Sequence, residues 1–132
     1  VIKKADELVA ANPGAKIACL GLAFKANIDD FRESPARFVA ARIARKYGDR
    51  VHIVEPYAAE LPIEFTDSGA HLIDVDEALE ACDILIVLVD HDVFRVVPLA
   101  ERADKLVYDT RGWSGQMPRV VRDEPELVRL AG

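Results

Sequence analysis

The feature that most constrains the fold is an uninterrupted apolar run, Ile-Leu-Ile-Val-Leu-Val at residues 84–89, which lies between Asp83 and Asp90. A strand with one solvated face alternates apolar and polar residues, whereas a strand buried on both faces reads as a continuous apolar run. The run therefore predicts a central strand of a parallel sheet that is covered on both faces. It is far shorter than the ~20 residues that a membrane-spanning helix needs, so we expect no membrane span here.

Strand and helix patterns alternate along the rest of the chain. The other strand candidates lie at residues 16–24, 50–56, 71–75 and 105–112. Helices are predicted at residues 1–12, 35–47, 75–82 and 92–103, with at most one further turn at 125–130. This alternation predicts an α/β fold, a doubly wound and mostly parallel sheet flanked by helices and Rossmann-like in its layout.

The helix at 35–47 has clear end signals. Ser34 is a suitable N-cap, Pro35 fits the first helical position, and Gly48 follows the last turn. The basic residues of this helix are expected to face water: Arg37, Arg42, Arg45 and Lys46.

Composition limits the possible partners. The chain has 132 residues and a formal charge of −6, which argues against general binding to nucleic acid or to a membrane surface. Cys19 and Cys82 have neither metal-ligand nor C-x-x-C spacing, which favours two reduced core thiols in a cytoplasmic protein. Because the helix at 1–12 begins without a cap or an initiator methionine, we expect the natural chain to extend upstream.

Charged residues cluster after the predicted strands, where doubly wound sheets bind ligands. A dinucleotide site would show G-x-G-x-x-G after the first strand, but Gly21 is followed by Leu22 and Ala23, so the second glycine is missing. An anion bound here would then be neutralised by the side chains of Lys25 and Arg32, with help from the N-terminus of the following helix.

Structural roles are possible for the same residues. Acidic residues of the loop could pair with its cations and fold it: Asp29, Asp30 and Glu33. Arg111, after the last strand, either projects beside Lys25 or is a solvated turn residue.

Phe24, which directly precedes Lys25, has an aromatic side chain suited to stack on a base or to pack on a sugar.

Two further strand ends carry candidate site residues. Glu55 stands where dinucleotide folds carry a ribose-binding acid, but the missing glycine and the following Pro56 favour a structural role. His91 lies between Asp90 and Asp92 and is expected at the surface. A metal site there is the weaker alternative, because no second histidine cluster accompanies it.

Three stretches resemble a known family. GLAFKANIDDFRESPA, at 21–36, closely resembles the signature that opens the C-terminal domain of UDP-glucose/GDP-mannose-type sugar-nucleotide dehydrogenases. LVDHDVFRVV, at 88–97, is similar to the branch of that family that oxidises UDP-N-acetyl-D-mannosamine, and VYDTRG, at 107–112, is similar to the family's last strand. The resemblance covers residues 1–113.

The resemblance implies a three-domain enzyme. It places an N-terminal NAD-binding domain and a central dimerising domain upstream, with residues 1–13 as the end of a linking helix and 14–132 as the UDP-sugar-binding domain. Family members oxidise the sugar's C6 alcohol to a carboxylate, for surface polysaccharide synthesis, by two hydride transfers to NAD. Their nucleophilic cysteine lies in the central domain, so this chain alone is expected to be inactive, and the full protein is expected to be a homodimer.

Site residues follow from the resemblance position by position. Phe24 and Lys25 match the pair that contacts the UDP-sugar, and Arg111 matches a basic residue near the substrate. Arg32 matches the arginine that reaches the NAD. Asp29 and Asp30 are expected to shape the loop, and no catalytic residue or metal ligand is expected in this chain.

Three alternatives compete with this interpretation: a UDP-glucose 6-dehydrogenase domain, a stand-alone NAD-binding module and a receiver-like signalling domain. The missing glycine argues against the NAD-binding module. A receiver needs an acidic pair at the end of its first strand and a lysine after its last, but Asp29 and Asp30 come later and Lys105 comes earlier.

Overall fold

The computed structural model describes residues 2–23, 34–89, 91, 106–110 and 120–122. These residues form three α-helices and six strands, in the order α1 (Ile2–Ala11), β1 (Ile17–Leu20), α2 (Pro35–Tyr47), β2 (Val51–Val54), β3 (His71–Leu72), α3 (Val75–Ala81), β4 (Ile84–Val87), β5 (Leu106–Asp109) and β6 (Val120–Arg122). Short 3-10 helices lie at Gly48–Arg50 and Ile63–Phe65. The helix predicted at 92–103 and the turn predicted at 125–130 lie outside the described residues.

The strands form one sheet in the order β3-β2-β1-β4-β5-β6, and every described pair is parallel. This order places the topological switch between β1 and β4, as in dinucleotide-binding folds. The predicted doubly wound fold is therefore confirmed. A receiver-like domain has the order 2-1-3-4-5 instead, so the topology contradicts that alternative.

Both faces of the sheet are buried, as the apolar run at 84–89 predicts. Ile17 and Cys19 of β1 contact the cluster that includes α1 and α2, whereas Ala18 and Leu20 contact the cluster that includes α3. Successive residues of a strand point to opposite faces, so a continuous apolar strand supplies both clusters. Tyr108 of β5 is fully buried on the α1 and α2 side.

The end signals of α2 act as predicted. The Ser34 hydroxyl accepts a hydrogen bond from the Arg37 backbone N–H, and Gly48 has a positive φ of 64° after the last turn. The prediction for the Arg37 side chain is wrong, because its guanidinium donates to Glu64 and only 23% of the side chain is exposed. This ion pair attaches the 3-10 helix at Ile63–Phe65 to α2.

Strand β6 is absent from the elements that the sequence predicts. Val120–Arg122 pairs with β5 in parallel, with Val107 opposite Val120 and Asp109 opposite Arg122. Two adjacent valines between arginines are too short a signal to distinguish a strand from a loop. The strand is defined by its hydrogen-bonded pairing with β5, which the local sequence pattern does not reveal.

Candidate functional site

The candidate site lies at the carboxyl ends of β1, β2 and β4. Gly21 begins it with φ of +101°, and its N–H donates to the Val54 carbonyl at 2.8 Å. A Cβ at Gly21 would lie 2.5 Å from the Val89 Cβ, so this position requires glycine both for its conformation and for the close approach of the two chain segments.

The second glycine of the dinucleotide pattern is replaced by Ala23, which is buried. Its carbonyl accepts a hydrogen bond of 3.0 Å from the Ser34 hydroxyl. Ser34 is thus both the N-cap of α2 and a link to the chain directly after β1. Residues 23 and 34, which flank the 24–33 segment, are consequently held together at the carboxyl edge.

Glu55, directly after β2, has four described hydrogen-bond partners at this edge. Its Oε1 accepts the backbone N–H groups of Leu22 at 2.8 Å and Ala23 at 3.2 Å. The same oxygen lies 2.9 Å from His91 Nε2, and Oε2 accepts the Tyr57 N–H at 3.0 Å. The structural role favoured for Glu55 is therefore confirmed.

His91 is fully buried, so the prediction that it lies at the surface is wrong. The ring of Tyr57, which is partly exposed, lies over it with 5.0 Å between the ring centroids. Within the described residues, no group of three or more His, Cys, Asp or Glu side chains is arranged to hold a metal ion. His91 instead joins the end of β4 to the end of β2 through Glu55.

The predicted ligand-binding residues lie outside the described residues: Phe24, Lys25, Arg32 and Arg111, together with Asp29, Asp30, Glu33, Asp90 and Asp92. Their nearest described neighbours in sequence are Ala23, Ser34, Val89, His91 and Thr110. Thr110 belongs to the same edge, since its N–H and hydroxyl donate to the Val87 carbonyl at 3.1 and 2.6 Å. At the described part of the edge, sequence reasoning missed the connections made by Glu55 and His91.

The described part of this edge does not fit a dinucleotide cradle. A ribose-binding acid must expose its oxygens, but the Glu55 side chain is fully buried and both of its oxygens already accept protein N–H groups. The Leu22 and Ala23 N–H groups are likewise directed at Glu55 and not at a ligand. NAD would therefore have to be held by residues other than these.

A cavity of about 400 Å³ opens beside the site, at the carboxyl ends of β2 and β3. Its walls are mostly apolar, with Val54, Pro56, Leu72 and Ile73 among the lining residues. Two further cavities, of about 450 and 510 Å³, lie between α1 and α2 and at the amino end of the sheet, away from this edge.

Comparison with known proteins identifies the architecture. The model of the UDP-glucose/GDP-mannose dehydrogenase family, UDP binding domain, matches residues 18–115. The chain belongs to the UDP-glucose/GDP-mannose dehydrogenase family. The matched region runs from β1 past β5 and contains every segment of the carboxyl edge described above.

Relatives within the family share substantial identity with the chain. A UDP-N-acetyl-D-mannosamine dehydrogenase of Salmonella typhi is 46% identical over 82% of this chain and 26% of its own length. An NDP-N-acetyl-D-galactosaminuronic acid dehydrogenase of Ralstonia solanacearum is 42% identical over 76% of this chain and 23% of its own length. The chain thus spans about a quarter of the length of these dehydrogenases.

The solved structures agree on the fold. A UDP-glucose dehydrogenase of Pyrobaculum islandicum superposes with a TM-score of 0.69 at 24% identity, over 93% of this chain and 28% of that one. Among the residues that the structure describes, no helix is both long and apolar enough to cross a membrane.

Proposed function

We propose that this chain is the UDP-sugar-binding domain of an NAD-dependent UDP-N-acetyl-D-mannosamine 6-dehydrogenase. The observation that carries the proposal is the 46% identity to a UDP-N-acetyl-D-mannosamine dehydrogenase over 82% of the chain. The full protein would oxidise the C6 alcohol of the sugar to a carboxylate, in the cytoplasm and as a homodimer. Residues 14–132 would form the UDP-sugar-binding domain, and residues 1–13 the end of a central-domain helix that packs on it and completes one face of its core.

Binding of the UDP-sugar is assigned to the 24–33 segment and to the exit of β5. Lys25 and Arg111 would neutralise the diphosphate, and Phe24 would pack on the nucleoside. Two observations support this assignment. Ala23, which directly precedes Phe24, is held at the carboxyl edge by its hydrogen bond from Ser34. Thr110, which directly precedes Arg111, lies at the same edge.

NAD is assigned to another domain of the full protein, with Arg32 reaching towards it. The burial of Glu55 supports this division, because the acid that directly follows β2 is not exposed to a ribose. When bound, NAD would supply the hydride acceptor. This domain would hold the UDP so that C6 of the sugar lies near the nicotinamide. The binding energy of the UDP would thus be used to orient the reacting carbon.

The nucleophile is not expected in this chain. Cys19 and Cys82 are both fully buried, and burial raises the pKa of the Cys19 thiol to about 12. A reactive cysteine must be accessible and partly ionised near neutral pH. The isolated chain should therefore show no dehydrogenase activity, even with UDP-sugar and NAD present.

The test measures NADH formation by the full-length protein with UDP-N-acetyl-D-mannosamine and NAD. We expect about two NADH per sugar oxidised. Lys25→Ala should raise the KM for the UDP-sugar by ~10-fold, as expected for loss of a charge-assisted phosphate contact. An unchanged KM would refute the role of Lys25.

The choice of sugar needs a matched comparison. The 42% identity to an NDP-N-acetyl-D-galactosaminuronic acid dehydrogenase makes UDP-N-acetyl-D-galactosamine the second candidate substrate. Both sugars and UDP-glucose should be assayed with the same enzyme preparation. A higher kcat/KM with either competitor would contradict the proposed substrate while leaving the UDP-binding role intact.

A further inference from the structure

The buried contacts of Glu55 connect three strand ends that are far apart in sequence. Leu22 and Ala23 follow β1, Glu55 follows β2, and His91 follows β4. One carboxylate oxygen contacts all three partners, at 2.8, 3.2 and 2.9 Å. Each contact spans more than thirty positions of sequence, so local chain geometry cannot replace it.

The hydrogen bonds of the buried Glu55 carboxylate use most of its acceptor capacity. A carboxylate has about four acceptor sites, and the described contacts place three partners on Oε1 and one on Oε2. Little capacity is left for a ligand, and the Glu55 side chain is fully buried. Its partners Leu22 and Ala23 lead directly into the 24–33 segment, whose other end is linked to Ala23 through Ser34.

We propose that Glu55 is a positioning residue for UDP binding, acting through the 24–33 segment and held in place by His91. This proposal rests on the proposed function, because it assigns to that segment the diphosphate contact. At the position where a dinucleotide fold uses an acid to bind ribose, this chain uses one to fix the backbone that leads into Phe24 and Lys25.

The test is calorimetric titration of UDP into the full-length protein, wild type and Glu55→Gln. The amide places N–H donors where the carboxylate accepts, so at least one of the four contacts is lost. Displacement of the segment should weaken UDP binding by ~10-fold, since misplacement of a binding group by about 1 Å can have large effects. Affinity for NAD should fall less than affinity for UDP, because NAD is assigned mainly to another domain and only Arg32 of this segment is proposed to reach it.

A double-mutant cycle with Lys25→Ala separates positioning from general destabilisation. If Glu55 acts through this segment, the double variant should bind UDP only slightly more weakly than Lys25→Ala alone. Additive losses would overturn the proposal. If Glu55→Gln does not fold, Glu55→Asp, which keeps the charge but has a shorter reach, must show the same non-additivity.

Ile84→Val, at the amino end of β4, is the matched control for lost stability. It removes one buried methylene far from the carboxyl edge and should leave the UDP affinity unchanged. If it weakens UDP binding as much as Glu55→Gln does, Glu55 has only a structural role. If wild-type protein does not bind UDP, the proposed function fails first, and with it the basis of this inference.

Discussion

Gly21 shows how a single residue determines the geometry of the candidate site. Its N–H bonds to the end of β2, its conformation is left-handed, and its missing side chain lets Val89 approach. The G-x-G-x-x-G pattern of dinucleotide sites begins with a glycine after β1. Gly21 occupies that position and allows close packing, although the rest of the pattern is absent. The glycine at this position is thus required for the close approach of the segments after β1 and β4, whether or not a phosphate binds there.

Gly21→Ala should lower the free energy of unfolding by ~2–4 kcal/mol, since a left-handed alanine is strained and its Cβ would overlap Val89. Gly14→Ala is the matched control, because Gly14 also has a positive φ, of 80°, but no atom beyond its own chain neighbours lies within 4 Å of the position that an alanine methyl would take there. It should cost only ~1 kcal/mol. Urea unfolding followed by circular dichroism measures both, and equal losses would show that the Val89 contact is unimportant.

Glu55 and His91 mark the limit of what sequence shows at this scale. Acidic and imidazole side chains after a strand are typical of exposed positions, and a sequence pattern does not reveal that the two will be buried against each other. The burial depends on pairing of β1 with both β2 and β4, which brings residues 22, 55 and 91 together. The role of Lys25, in contrast, depends on a signature stretch and stays a prediction.

Among the elements, α2 is the one that its sequence determines most completely. Its N-cap, first-turn proline and terminal glycine lie where the end signals place them. The prediction for Arg37 fails because helix periodicity assigns a face but does not show which neighbouring loop covers it. Strand β6 is not predicted for a related reason: it is recognisable only from its pairing with β5, which the local sequence does not show.

The ion pair of Arg37 with Glu64 should make the attachment of the Ile63–Phe65 helix to α2 dependent on pH. Hydrogen bonding from Arg37 lowers the pKa of Glu64 below its usual range, so the folded state favours the ionised carboxylate. That stabilisation is complete above the ordinary glutamate pKa of about 4.3 and is lost as the pH falls through the lower folded-state pKa.

Glu64→Gln should therefore lower the free energy of unfolding at pH 7 by ~1 kcal/mol, and the difference from wild type should shrink towards zero as the pH falls through the folded-state pKa of Glu64. Urea titrations at a series of pH values from 7 downwards provide the measurement. Glu60→Gln, at an exposed position, is the control for loss of one carboxylate and should leave the free energy of unfolding at pH 7 nearly unchanged. A Glu64→Gln deficit that is constant with pH would contradict the assigned cause.

At the scale of the whole molecule, topology and signature answer different questions. The parallel order β3-β2-β1-β4-β5-β6 identifies a dinucleotide-type fold, yet the buried Glu55 and the absent second glycine argue against a dinucleotide at the described edge. The sheet was predictable because apolar runs encode burial on both faces. Its ligand was suggested by the signature at residues 21–36, which the family match supports.

Helix α1 tests where the folding unit begins. Ala5 and Val9 are buried in the cluster that α2 shares, and the Tyr47 hydroxyl donates to Asp6 at 2.6 Å. If α1 were only a connector, a chain of residues 14–132 would be as stable as residues 1–132. The contacts instead indicate that α1 completes one face of the core.

Removal of residues 1–13 should lower the free energy of unfolding by ~2–4 kcal/mol, from the apolar surface that it exposes. Asp6→Asn, which keeps the helix and weakens only its polar contacts with Tyr47 and Lys46, should cost about 1 kcal/mol or less. Urea unfolding of the three proteins distinguishes the contributions. Equal stability of 14–132 and 1–132 would place the boundary of the folding unit after α1, whereas the expected loss places α1 inside it.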